Sequence, residues 1–482
     1  MQPHAPAQAT PAPDVDRART RTILTVLVLA TFVVILNETI MTNAIPRLMR
    51  ELDVTASTAQ WLSTVFMLTM AVVIPVSGWL MERLATRRTF GLAMTLFSVG
   101  TAACLLAPTF GVLVGGRVVQ ACGTAIMMPL LMTTLMTLVP AHGRGRVMGN
   151  VTLVISVAPA MGPAVSGLLL QLGSWRLIFA AVLPIAVGAL VVGLRALVDV
   201  AEPGHSDLDL VSLALSAVGF GGLVYGLSGL GEGASHGAAS SGLPPWGCLL
   251  VGLVAMGAFT WRQLVLQRHG TPLLDLRTLS HRTFTIGLAL MVLCFMGLMG
   301  TVILLPIYLQ EVRGLSSLTT GLLMIPGGLA MGLLGPQVGK AYDRYGAPRL
   351  VVPGAAGLVA GLVMLALLAP ALAPWGVLAL HVLISVSLAL VFTPVFTASL
   401  GVLPPHLYPH GSAILGSLQQ VGAAAGTATT VAVMTSVTAR AAAGGASAAG
   451  ALTSGVQGGF AVGAVLAVLA LGASTLVRTP RS

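Results

Sequence analysis

The sequence predicts an all-α protein that crosses a membrane many times. Three observations carry this. Hydrophobic residues make up 56% of the 482-residue chain and charged residues only 8%, whereas a soluble domain carries about 25% charged residues. The apolar residues are gathered in runs of about 20, the length a helix needs to cross a hydrocarbon core. The basic residues are scattered singly in the short loops between those runs. The net charge of +10 therefore reads as the loop bias of a membrane protein and not as a nucleic-acid surface.

Residues 1–22 are polar and rich in Pro and Ala, and are expected to form a disordered tail. The apolar run that follows is too long for a signal-peptide core and shows no cleavage site, so it reads as a first span. Spans are expected at 23–46, 58–80, 89–107, 110–138, 147–171, 176–198, 210–230, 246–266, 284–309, 317–338, 349–370, 374–401, 412–436 and 457–477. That makes fourteen. Residues 199–209 and 267–283 connect spans on one side. The opposite stretch 441–456, AAAGGASAAGALTSGV, is of low complexity and is expected to be mobile. Residues 478–482 form a second short tail.

An even number of spans puts both termini on one side. That side then holds 18 of the 24 Lys and Arg residues, among them Arg83, Arg144, Arg195, Arg277 and Arg344. Arg47, Arg50, Arg176, Arg313 and Arg440 fall on the other side, and Arg117 falls inside a span. The asymmetry predicts cytoplasmic termini in a plasma membrane. No loop is large enough to hold a catalytic domain, and no GxxxxGK[ST] loop is present, which argues against an ATP-driven pump. An enzyme and a bound cofactor are not expected. Cys104, Cys122, Cys248 and Cys294 lie in apolar runs without paired spacing, so they read as small buried apolar residues and not as a disulfide framework or a metal site.

The chain repeats itself. GWLMERLATRR (78–88) matches GKAYDRYGAPR (339–349): Gly78 pairs with Gly339, Glu82 with Asp343, Arg83 with Arg344 and Arg88 with Arg349. Pro46 and Pro306 pair upstream at nearly the same offset. That offset exceeds six spans by about two, which gives six plus two plus six: a bundle over 23–198, two inserted helices with their linkers over 199–283, and a bundle over 284–477. Two repeats of one orientation, related by an axis along the membrane normal, mark one transporter architecture. Chance convergence of two turns is the competing reading, opposed by the alignment of the flanking spans.

Four stretches resemble the major facilitator superfamily, and specifically its fourteen-span drug:proton antiporter branch, over nearly all of residues 20–480. GWLMERLATRR resembles the loop motif between helices two and three, with Glu82 for the usual Asp, and Ala85 and Thr86 where Gly and Arg are common. LVGGRVVQACGTA (113–125) resembles the fourth-helix motif. APAMGPAVSGLL (158–169) resembles the fifth-helix motif of exporters, with Ser166 in place of one glycine. LNETIMTNAIP (36–46) resembles the first-helix motif, with Asn37 at the usual Asp and the acid moved to Glu38. The resemblance implies a major facilitator fold of two six-helix bundles plus two inserted helices. It also implies export and not import, with Gly162, Pro163, Ser166 and Gly167 as the antiporter motif; Gly162, Pro163 and Gly167 are expected to seal the outer path, with ordinary small-residue packing as the alternative.

Glu38 is the one acid of fourteen placed deep in a span, about 12 Å below Pro46 at about 1.5 Å per residue. Arg117 enters its own span to about 10 Å from the same face. Burial drives a carboxylate toward its protonated form and a nearby cation toward its ionised form, so such a pair can be poised to bind and release a proton. Cationic substrate and proton would then compete for one carboxylate. A static pair that only orders the bundle is the alternative. An apolar cavity with few polar handles is expected, drawn from Phe66, Met67, Gln120, Met127, Met128, Tyr225, Phe295, Phe392, Phe396, Gln419 and Gln420. Each of these alone also fits plain helix packing, as does His381. Glu82, Arg83, Arg87 and Arg88 are expected to meet Asp343, Arg344 and Arg349 in a latch between the halves.

The sequence thus reads as a monomeric, proton-coupled exporter of amphipathic, cationic drugs, with small molecules, protons and lipid as its partners. A dedicated exporter of one self-made metabolite, a symporter, and a non-transporting receptor are the alternatives. The helix-five motif opposes the symporter; the lone acid and base at one depth oppose the receptor.

Overall fold

Inside a bilayer a helix satisfies every backbone N–H and C=O within its own segment, which is why apolar runs of this length fold as helices. The computed structural model describes residues 17–42, 44–199, 208–232, 244–268, 272–368 and 371–477. Among these, every regular element is helical: α1 (Arg17–Thr42), α2 (Ile45–Leu52), α3 (Ala56–Arg83), α4 (Thr86–Leu105), α5 (Phe110–Leu138), α6 (Arg144–Leu172), α7 (Arg176–Ala196), α8 (Leu210–Glu232), α9 (Pro245–Leu266), α10 (Arg282–Ile307), α11 (Ser317–Tyr345), α12 (Pro348–Leu368), α13 (Pro374–Gly401), α14 (Tyr408–Ala443) and α15 (Ala448–Ser474). Thirteen helices are long and apolar enough to span. α6 makes a fourteenth as a bent pair, Ala141–Gly162 and Ala164–Leu172, with 41° between the two pieces. Pro163 at that break has no N–H to give the preceding turn.

Short polar residues mark where several helices begin. Thr55, Thr109, Ser316 and Ser447 accept the N–H of Thr58, Val112, Thr319 and Gly450 at the starts of α3, α5, α11 and α15. Each such cap contributes about 1 kcal/mol. All four helices start at the end of the molecule opposite to Arg83 and Arg344. The latter is called the arginine-rich end below.

Three expectations need correction. Residues 17–22, assigned to the tail, already form the first turns of α1; residues 1–16 and 478–482 lie outside the described residues. The first span was expected to run to 46, but α1 stops at Thr42 and the chain restarts as α2 at Ile45, with Pro46 in its first turn. The stretch 441–456 is mostly helix. α14 continues to Ala443 and α15 starts at Ala448, joined by a turn in which Gly445 takes a positive φ of 84°. Its run of Ala favours helix once a partner helix is alongside, and low complexity alone concealed that.

α1 and α3–α7 pack into one bundle and α10–α15 into a second. The repeat governs how they meet. α3, the second span of its half, packs on α14, the fifth span of the other half; α11 packs on α6 in the same relation. α8 and α9 pair with each other, and α8 lies along both α3 and α14. Phe220 and Val224 of α8 join Ala71 of α3 and Ala424 of α14 in one apolar cluster, and Tyr225 faces Trp61 with ring centroids 6.0 Å apart. The inserted pair is therefore fixed to the outside of the α3–α14 seam.

Candidate functional site

Arg117 is 1% exposed, and the first bundle builds a socket for it. Its Nη1 donates to Oε1 of Gln120 at 2.7 Å, one turn along α5, and its Nε donates to the Leu62 carbonyl at 3.5 Å. The guanidinium lies 3.9 Å from the centroid of the Phe66 ring, a cation–π contact strengthened by burial. Gln120 in turn donates to Thr101 of α4 at 2.7 Å. The fourth-helix Arg and Gln thus tie α3, α4 and α5 together.

Glu38 is half-buried on α1, four residues inside the end of that helix, about 6 Å by rise per residue. This is shallower than the sequence suggested, because α1 ends before Pro46. No ion pair within 4 Å joins Glu38 to Arg117. Arg117 spends its donors on Gln120 and Leu62 instead, and acts on Glu38 through space. Asn37 is fully buried, and both its amide atoms lack a hydrogen-bond partner among the described residues. The fifth-helix motif comes directly against this segment. A Cβ on Gly162 would run into the hydroxyl and Cβ of Thr39, so glycine lets α6 touch α1 beside Glu38. Ser166 is fully buried, and Gly167 has open space around it.

The cavity candidates divide. Phe66, Gln120 and Met127 are 1%, 0% and 0% exposed; they are packing and hydrogen-bonding parts of the first bundle and offer no open surface in this conformation. Met67, Met128, Phe295, Phe396, Gln419 and Gln420 are half-buried. Phe295 of α10 stacks on Phe392 of α13 with centroids 5.0 Å apart, and Gln420 of α14 reaches Met70 of α3.

The halves meet at the arginine-rich end. Glycines bring α6 and α11 into backbone contact: a Cβ on Gly145 or Gly149 would strike Gly339 or Gly335, and one on Gly328 or Gly332 would strike α6. Thr152 and Thr393 share a hydrogen bond of 2.8 Å, Thr133 donates to Ser412 at 3.3 Å, and Arg144 donates to the Tyr408 hydroxyl at 3.2 Å. At the opposite end the bonds of Arg47 stay within its own half. Arg47 pairs with Glu51 at 2.7 Å, and its Nη1 donates to the Leu170 carbonyl. Arg47 holds the Glu51 carboxyl below the usual carboxylate range. Gly321, near the start of α11, has nothing within 4 Å.

The two motif acids lie in this seal, but their partners differ from those expected. Asp343 accepts the backbone N–H of Gly145 at 2.8 Å and of Arg146 at 2.9 Å, at the positive start of α6. Glu82 meets Nε2 of His410, near the start of α14, at 2.7 Å. Arg87 and Arg88, and Arg344 and Arg349, are exposed around them; Arg344 lies over the Tyr345 ring and Arg83 over Trp79. Gly78 faces His410 as Gly339 faces Gly145. The sequence reading missed His410. The signal was present: VPAHGRGR (139–146) and LPPHLYPH (403–410) are the same turn in the two halves, and they align Arg146 with His410.

Two like-oriented helical bundles, joined by glycine contacts and hydrogen bonds at the arginine-rich end, have the architecture of a membrane transporter. The chain belongs to the major facilitator superfamily: the family profile of that description matches residues 27–427. Relatives include the lincomycin resistance protein LmrB of Listeria monocytogenes, 36% identical over 461 residues with 95% of this chain and 96% of that protein covered. LmrB of Bacillus subtilis is 34% identical, covering 93% and 94%. The MFS-type transporter YcnB of Bacillus subtilis is 37% identical, covering 95% of each chain. Among solved structures, the proton:xylose symporter XylE superposes with a TM-score of 0.65 at 16% identity, covering 94% of this chain and 95% of that one, which speaks to the fold alone.

Proposed function

We propose that this protein exports amphipathic, cationic compounds from the cell in exchange for protons, by alternating access, as a monomer in the cell membrane with its arginine-rich end in the cytoplasm. In this conformation the halves are joined at the end assigned to the cytoplasm. One observation carries the reading. Glu38 is an intramembrane carboxylate that is half-buried, has no ion-pair partner within 4 Å among the described residues, and lies near the end of α1, away from the arginine-rich end. A carboxylate held at membrane depth without a neutralising partner is costly unless it is used. Protonated from outside, it would be neutral. Deprotonated after the carrier turns inward, it would attract a cation, and Arg117 would limit how tightly either is held. The names of the LmrB relatives support a drug as cargo. The contact of Gly162 with Thr39 joins the exporter motif to the carboxylate segment. The test is reconstitution into liposomes with an imposed pH gradient. Uphill movement of cationic dyes or lincosamides that collapses with the gradient is the expected result; transport indifferent to the gradient would refute the proton-coupled reading.

A further inference from the structure

The seal at the arginine-rich end has two arms, and they are not chemically alike. In one, Asp343 binds backbone N–H groups, which do not titrate. In the other, Glu82 binds an imidazole that is 3% exposed. His410 Nε2 faces the Glu82 carboxylate at 2.7 Å, so it is the nitrogen that carries the hydrogen. Nδ1 is then the vacant basic nitrogen. It is buried, has no hydrogen-bond partner among the described residues, and lies beside Gly78, where the missing side chain leaves room for the ring. A proton taken up at Nδ1 turns the bond from a neutral imidazole into an imidazolium–carboxylate pair, adding the attraction of opposite charges at a partly buried site.

We propose that His410 and Glu82 form a second proton-binding site, separate from Glu38, whose occupancy holds the cytoplasmic ends of α3 and α14 together. The cytoplasmic assignment rests on the orientation proposed above. The proton comes from cytoplasmic water and returns there. Histidine is the side chain whose charge ordinarily changes between about pH 5 and pH 8. The pair exists only when the halves meet, so a charge on the imidazole faces the Glu82 carboxylate in the closed state alone. Acid in the cytoplasm therefore favours closure, and rising pH weakens that arm while the Asp343 arm persists.

Few other charges can account for such a titration. On α3 the neighbours are Glu82 itself and Arg83. Arg144 of α6 donates to the Tyr408 hydroxyl two residues before His410. His406 is exposed in the turn ahead of α14, and Arg277, His281 and Arg282 lie in the turn and helix start packed on α14 from α10. Asp209 at the start of α8 is already paired with Arg262 at 2.6 Å. α15 carries no charged residue, and α5 and α13 carry none at this end.

The experiment measures the distance between spin labels on Ala141→Cys and Tyr345→Cys, exposed positions on opposite halves, in protein lacking the four native cysteines. The pH runs from about 5.5 to about 8.5, spanning the histidine range. The expected result is a closed-to-open ratio that falls severalfold with rising pH. His410→Gln should make the ratio flat. Glu82→Gln, which keeps the imidazole, should also lose most of the change and stands in if His410→Gln does not fold. Glu38→Gln should leave the titration in place. The inference is overturned if His410→Gln titrates like the parent, if the parent does not titrate, or if the change vanishes in Glu38→Gln and not in His410→Gln. Gradient-driven transport by Glu38→Gln would sink the proposed function while leaving this site untouched.

Discussion

Asp343 on α11 accepts the backbone N–H of Gly145 at the start of α6, 2.8 Å away and across the boundary between the halves. With the N–H of Arg146, that carboxylate fills two of the orphan donors of a helix start. Asp343→Ala should shift the population away from the sealed state, by about 1.5–3 kcal/mol for each charged hydrogen bond lost. Transport should fall while substrate binding from outside is largely kept. Ligand-binding and efflux assays on one preparation check this; equal loss of both would place Asp343 in folding and not in state balance.

The α6–α11 seam predicts a steric result. Gly149 and Gly335 touch backbone to backbone, so no side-chain rotation can make room there. Gly149→Val should prop the arginine-rich end open and cut transport about tenfold or more, since overpacking of this kind costs about 1–3 kcal/mol. Gly321→Ala, with nothing within 4 Å, should be silent. Labelling of a cysteine placed in the seam reports the opening.

Gly162 and Thr39 predict a rescue. Gly162→Ala drives a methyl into the Thr39 side chain and displaces the segment that carries Glu38. Efflux should drop severalfold. Thr39→Gly in the same chain removes both atoms that are struck and should restore much of it, the sign of direct coupling between two sites in contact. Efflux by the double variant no better than by Gly162→Ala would argue that the glycine acts elsewhere.

The inserted pair predicts stability without a change in transport. Arg262 and Ser212 hold the Asp209 carboxyl well below the usual carboxylate range. A depressed carboxylate stabilises the fold above its ordinary range and loses that effect only as pH falls through the lowered value. The contribution should therefore be constant between about pH 5 and pH 9, counted from the ordinary value near 4. Asp209→Asn should lower stability in detergent by about 1 kcal/mol, a small value because the pair is partly solvated, with efflux retained. Melting curves at two pH values and a dye-efflux assay test both parts.

Much of the fold was legible because apolar run length and arginine placement act locally. The bounds expected for α5 and α13 match the structure, and the rest differ by a few residues or a turn or two. The seal was legible only in part. Gly78, Glu82, Gly339 and Asp343 repeat in the sequence, and repetition marked them as paired. Their partners could not be read that way: Asp343 binds backbone N–H groups, which every residue carries, and His410 lies on a fifth-span turn whose likeness to residues 139–146 is weak. Arg117 was found by its oddity in an apolar run. That Phe66, Leu62 and Gln120 would occupy it, leaving it without an ion pair to Glu38, depends on how three helices pack.

The central claim is that Glu38 carries the coupled proton. Its most direct test is gradient-driven efflux of a cationic dye from proteoliposomes by Glu38→Gln, which keeps the size and polarity of the side chain but cannot release a proton. The prediction is a folded, membrane-inserted protein whose uphill efflux is lost across the pH range, with neutral ligands still bound. Efflux by Glu38→Gln equal to the parent at every pH would contradict the claim and leave Glu38 a structural residue.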